Sequence, residues 1–98
     1  MIVVVSRFRV ANGMEDSVRQ AFIDRPHRVD HAPGFLSVEA LTDRDDPTIF
    51  YLVTRWTDHA AFEEWYGSDE HDRSHALIPQ GLKLDAGWTE VRYLLPIE

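Results

Sequence analysis

The stretch Glu63 to His75, EEWYGSDEHDRSH, sets a large aromatic, Trp65, and two imidazoles, His71 and His75, inside a run of carboxylates. If Asp69 to Ile78 is helical, residues 71, 75 and 78 share one face, and Ile78 marks that face as the buried one. The two histidines then stand where an amphipathic helix would carry Leu or Ala. An imidazole pair one turn apart can bind zinc, but no third protein ligand is identifiable and no Glu sits beside the pair in a zinc-protease pattern. The plain alternative is a hydrogen-bonded core histidine. The carboxylates Glu63, Glu64, Asp69 and Glu70 read as a solvated helix face, not as an acid/base pair.

Ser6 raises a similar question. It lies in strand phase with Ile2, Val4, Phe8 and Val10, and so puts a hydroxyl into an otherwise apolar row. Phe22, Phe62 and Trp65 are expected to converge on the same layer from the helices. Together these residues predict a mostly aromatic and aliphatic cleft with a few polar groups, the usual character of a small-molecule site.

The elements that must position them follow from periodicity. Ile2 to Val10 alternates as a strand and stops at Asn12-Gly13. Met14, Val18 and Phe22 recur at helical spacing, with Glu15 and Asp16 at the end where a helix dipole favours them, and Pro26 ends or kinks that helix. Pro33-Gly34 precedes a strand over Phe35 to Leu41. The loop TDRDDP turns into a third strand, Thr48 to Trp56, paired with the second as a hairpin. Asp58 can cap a short helix carrying Ala61, Phe62 and Trp65, broken at Gly67-Ser68. A further helix begins at Asp69, and a last strand spans Trp88 to Leu95. The order β-α-β-β-α-β predicts an α+β, ferredoxin-like domain over 1–98, one sheet with helices on one face.

Ile49, Tyr51 and Val53 point to one side of the third strand and Phe50, Leu52 and Trp56 to the other, while Val3 and Val5 extend the first of these sides. Both sheet faces are therefore apolar, and two helices cover only one. The uncovered face predicts a homodimer in which two sheets meet.

Composition narrows the classes. The chain has 98 residues, 44% hydrophobic and 28% charged, with no cysteine and a formal charge of −7. That is one globular domain without disulfide or thiolate chemistry. The negative charge and the lack of a basic cluster argue against nucleic acid. No apolar run approaches the roughly 20 residues a bilayer needs, and the first residues lack signal-peptide features, so no membrane and a cytoplasmic location are expected.

At RFRV (Arg7 to Val10), PGF (Pro33 to Phe35), VTRW (Val53 to Trp56), AFEEW (Ala61 to Trp65) and His75, the chain resembles the antibiotic biosynthesis monooxygenase superfamily of dimeric α+β barrels. The segment RPHRVDHAPGFL, Arg25 to Leu36, is similar to its heme-degrading branch. The resemblance implies that His75 is the proximal ligand of heme iron and that Trp65 presses on and ruffles the porphyrin. It also implies a distal Asn on the first strand, where this chain has Ser6, whose hydroxyl is shorter and both donates and accepts. Heme would be both cofactor and substrate, opened by oxygen with electrons from a donor protein. Phe22, Phe62 and His71 would complete the heme site, with Arg25, Arg28 or Arg73 facing the propionates. Two other functions fit the same residues: a cofactor-free monooxygenase of a phenolic or quinol substrate with a His as base, and a dimeric module that only binds a small ligand.

Overall fold

The computed structural model describes residues 1–25, 28–68 and 79–98. Along the chain come β1 (Ile2–Arg9), α1 (Glu15–Ile23), β2 (Phe35–Thr42), β3 (Ile49–Trp56), α2 (His59–Tyr66) and β4 (Glu90–Leu94), with single tight helical turns at Arg28–His31 and Ala86–Trp88. The strands form one antiparallel sheet in the order β2-β3-β1-β4. This is the ferredoxin-like α+β arrangement. The helix expected over Asp69 to Ile78, with His71 and His75, lies outside the described residues.

Local chemistry sets the boundaries as the sequence predicts. The Asp58 carboxylate accepts from the Ala61 N–H at 2.8 Å and caps α2. In the hairpin loop, Asp43 accepts from the N–H groups of Asp45 and Asp46 at 2.8 and 3.0 Å, and Asp46 accepts from the Thr48 hydroxyl at 2.6 Å. Gly34 has a φ of +81°, and a Cβ there would fall 2.5 Å from the Ala61 Cβ and 2.7 Å from the Thr57 Oγ1. Pro33-Gly34 is thus both the turn into β2 and a place where α2 approaches the backbone too closely for a Cβ.

Register sorts the side chains. Ile2 pairs with Trp56, Val4 with Thr54, Ser6 with Leu52 and Phe8 with Phe50, so these residues share the helix-covered face. Val91 and Tyr93 of β4 join that face opposite Ser6 and Val4. Two buried clusters form on it. Val10, Val18 and Phe50 pack with Phe8, Met14 and Phe22 at one end, while Ile2, Val4 and Trp56 pack with Phe35, Phe62 and Trp65 at the other.

The opposite face carries Val3, Val5, Tyr51 and Val53, with Leu41 and Leu94 left 47% and 46% exposed. It is more mixed than alternation alone suggests. Arg55 pairs with Glu39 at 3.2 Å, and at the far end Arg7 and Arg9 lie 4.9 and 4.6 Å from the centre of the Trp88 ring, which covers them. The apolar side chains of this face are thus interleaved with charged pairs, Leu41 and Tyr51 in the row of Arg7 and Leu94 and Val3 in the row of Arg55. Among the described residues no helix is long and apolar enough to cross a membrane.

Candidate active site

The two clusters on the helix face are not equally filled. Beside the Trp56 end lies a cleft of about 190 Å³. Its floor is the row Val4 and Ser6 from β1 with Leu52, Thr54 and Trp56 from β3. Phe62, Trp65 and Tyr66 of α2 form one wall, and Val91 and Tyr93 of the edge strand form the other. The helix supplies its wall because positions 62, 65 and 66 fall on one side of a 3.6-residue repeat. Aromatic edges hold the walls in place: Phe62 meets Tyr93 at 5.8 Å, Tyr66 at 5.7 Å and Trp56 at 5.9 Å between ring centres.

The polar groups carried by the described lining residues are all neutral: the hydroxyls of Ser6 and Thr54, the phenols of Tyr66 and Tyr93, and the indole N–H groups of Trp56 and Trp65. Thr54 donates to the Val4 carbonyl at 3.5 Å. An uncharged aromatic slot with a few hydroxyls suits a flat apolar ligand whose oxygens are oriented by hydrogen bonds. An imidazole stands just outside, where His59 lies 5.0 Å from the Tyr93 ring and its Nε2 is 2.9 Å from a Glu63 carboxylate oxygen.

Of the residues singled out from sequence, Ser6, Phe62 and Trp65 come together in this cleft. Phe22 does not. Its ring sits 6.3 Å from both Phe8 and Phe50, which stack on each other at 5.5 Å, so it fills the closed end of the layer. Helical spacing places Phe22 on the inward face of α1 but carries no information about which end of the sheet α1 covers. Arg25 is also absent from the lining and pairs with Asp30 at 3.4 Å. His71, His75 and Arg73 lie outside the described residues.

Tyr93, Tyr66, Thr54 and Trp56 were missed as site residues. A signal existed for Tyr93: β4 alternates Val91 and Tyr93 against Glu90 and Arg92, and once β4 is placed beside β1 its apolar row must neighbour Ser6.

A four-stranded antiparallel sheet with two helices among the described residues on one face, enclosing an aromatic cleft between helix and sheet, defines a ferredoxin-like α+β domain. Residues 1–77 match the model of the antibiotic biosynthesis monooxygenase family, and the chain belongs to that family. Among curated proteins it is similar to a mycobilin-producing heme oxygenase of Mycobacterium tuberculosis, 28% identical over 64 residues. That match takes in 65% of this chain and 61% of the relative's length. It is also 32% identical over 68 residues to a 42.8 kDa protein in the whiE locus of Streptomyces coelicolor, covering 69% of this chain but 17% of that protein. Two solved structures share the fold. The cofactor-independent oxygenase SnoaB of Streptomyces nogalater superposes with a TM-score of 0.79 at 21% identity, over 99% of this chain and 93% of its own. The heme-degrader MhuD of Mycobacterium tuberculosis, solved with two hemes in its active site, gives a TM-score of 0.79 at 20% identity, over 100% and 97%.

Proposed function

We propose that this chain is a monooxygenase acting on a planar aromatic molecule held in the cleft between α2 and the sheet, and that this molecule is heme, bound as both cofactor and substrate. The observation that carries the reading is that Ser6 and Trp65, far apart in sequence, line the same cleft from floor and wall. These are the positions at which the resemblance sets the distal polar group and the aromatic that presses on the porphyrin. The similarity to a mycobacterial heme oxygenase supports the same choice. Trp65 and Phe62 would grip the macrocycle, His75 would ligate the iron, and bound heme would supply the oxygen chemistry. Ser6 would offer a hydrogen bond on the distal side.

The described residues fit this in part. The aromatic slot has the right chemistry, but about 190 Å³ is below the roughly 300–1,000 Å³ of sites that enclose drug-sized ligands, and among the described residues no cation lines it to meet a propionate. Those two features favour a second reading, a cofactor-free oxygenase of a smaller phenolic or quinol substrate. We also propose that a second copy of the chain covers the apolar residues of the outer sheet face, where Leu41 and Leu94 stand nearly half exposed on a face that also carries Val3, Val5 and Val53.

The deciding experiment is an optical titration with hemin followed by ascorbate in air. Heme degradation gives a saturable Soret shift at one heme per chain that decays to a bilin-like spectrum. His75→Ala then abolishes the Soret band while His71→Ala retains it. A native protein that leaves the hemin spectrum unchanged sinks the heme reading and leaves the quinol one. Light scattering at high micromolar concentration gives twice the chain mass if the outer face is a dimer interface.

A further inference from the structure

Trp56 is the most deeply buried large side chain among the described residues, with no exposed surface, yet it borders the cleft. Its ring is fixed edge-on by Phe35 at 5.6 Å and Phe62 at 5.9 Å. Its indole Nε1 is buried and has no hydrogen-bond partner. An indole N–H is a donor only, and a buried donor without an acceptor is costly enough that such groups in folded proteins are nearly always satisfied by protein, water or ligand. Phe at this position would keep an aromatic ring there without that cost, though it would leave part of the indole's volume unfilled.

We propose that the Trp56 N–H donates a hydrogen bond to an oxygen of the ligand at the buried end of the cleft, which makes Trp56 a specificity-determining residue for planar aromatic molecules bearing a carbonyl or oxyanion acceptor. The inference rests on the cleft being the substrate site. The sheet geometry gives it direction. Trp56, Thr54 and Leu52 succeed one another on the floor at steps of roughly 6.6 Å along β3, and Ser6 is paired with Leu52. The cleft thus has a donor-only group at the Trp56 end and hydroxyls, which donate or accept, along the rest. A flat ligand enters with its acceptor edge toward Trp56, and a hydrocarbon of the same shape gains nothing there.

The test uses 1,4-naphthoquinone and naphthalene as matched probes; the chain has no cysteine for the quinone to alkylate. Nitrogen-15 spectra of the native protein resolve three indole N–H signals, one per tryptophan, with Trp56 assigned by its loss in Trp56→Phe. Naphthoquinone is expected to move the Trp56 indole proton downfield and naphthalene to leave it in place. Folded Trp56→Phe binds naphthoquinone about five-fold more weakly, the loss of one neutral hydrogen bond, and binds naphthalene unchanged. Naphthoquinone binding without movement of the Trp56 signal overturns the inference, as does equal weakening of both probes. If neither probe binds the native protein, the reading of the cleft fails and the inference with it. The native-protein spectrum decides the matter even if the substitution prevents folding, since the three indoles can then be assigned by Trp65→Phe and Trp88→Phe.

Discussion

One strand pair, β1 with β3, builds two very different ends of the same sheet face. At one end Phe8, Phe50 and Phe22 close on each other with ring centres 5.5 to 6.3 Å apart and leave a packed core. At the other, two registers along, Ser6 and Thr54 replace apolar side chains on the floor, and the rings that roof it are Trp65, Tyr66 and Tyr93, each with a polar tip. Phenyl rings without polar atoms can interdigitate to crystal-like density, whereas hydroxyls and amphipathic rings keep a polar edge that must face a partner. The two ends of a single layer thus differ, one packed shut and one left as an open cleft, by side-chain polarity rather than by backbone geometry.

Phe50→Ala and Trp65→Ala should break apart along that line. Removing the Phe50 ring from the closed end costs about 3–5 kcal/mol of unfolding free energy, since its neighbours cannot collapse into the space. Hemin and quinone affinities of the surviving folded protein should stay within about two-fold of native, as expected for a site beyond the reach of the substitution. Trp65→Ala is expected to cost less than about 2 kcal/mol, because Trp65 is half-buried beside an existing cleft, and to remove ligand binding. Urea unfolding and optical titration on the two variants test both halves. Loss of binding in Phe50→Ala with retention in Trp65→Ala would invert the comparison.

A second substitution tests whether α2 is the movable wall. Gly34→Ala places a methyl against Ala61 and Thr57 at a φ of +81°, so the strained backbone alone should cost about 1–3 kcal/mol and the clash should push α2 outward. The expected outcome is a lower unfolding midpoint together with weakened ligand binding. A destabilised variant with native affinity would show that the cleft does not depend on the seating of α2.

Ser6→Val makes the open end resemble the closed one. Adding apolar volume on the floor should raise stability by up to about 1 kcal/mol while slowing ascorbate-driven loss of hemin. If stability falls instead, the Ser6 hydroxyl is held by the protein and is not free for a ligand. Ser6→Asn is the opposite change, expected to speed hemin loss.

How much of this was legible in the sequence differs between the two ends. The strands, the turn at Pro33-Gly34, the Asp58 cap and the hairpin loop follow from local signals, period-two alternation and side-chain to backbone hydrogen bonds, and the structure keeps them within one or two residues. Ser6, Phe62 and Trp65 were readable because a polar residue in an apolar row and aromatics at helical spacing identify the layer. Position within the layer was not readable. Phe22 belongs to the closed end and Tyr93 to the open one because of where α1 and β4 dock along the sheet, a tertiary fact that no local period encodes. Trp56 looked like core by spacing, and only its unpartnered N–H beside the cleft shows more.

The smallest expected effect concerns how the closed end is fastened. Asp46, in the β2–β3 loop, accepts from the Thr48 hydroxyl and N–H and from Arg9 of β1 at 3.3 Å, and so ties the hairpin to the neighbouring strand. Its carboxyl is held below the ordinary value of 3.8, first by the Thr48 hydroxyl, then by the Thr48 N–H, with burial opposing and Arg9 adding to the lowering. A folded value below the unfolded one means that folding favours the ionised form. The stabilisation is therefore complete above the unfolded value and disappears as pH falls through it toward the lowered folded value. Asp46→Asn removes the charge at every pH, so its urea midpoint should lie slightly below native at pH 6, and the gap should begin to narrow near pH 3.8 and go on narrowing as the pH falls further. Measuring the difference between the two proteins cancels the other carboxylates that titrate in the same range. Quinone affinity at pH 6 should be the same in both, because Asp46 fastens the end away from the cleft. A gap that does not narrow between pH 6 and pH 3 would mean that the aspartate acts through its uncharged hydrogen bonds rather than through its ionised carboxylate.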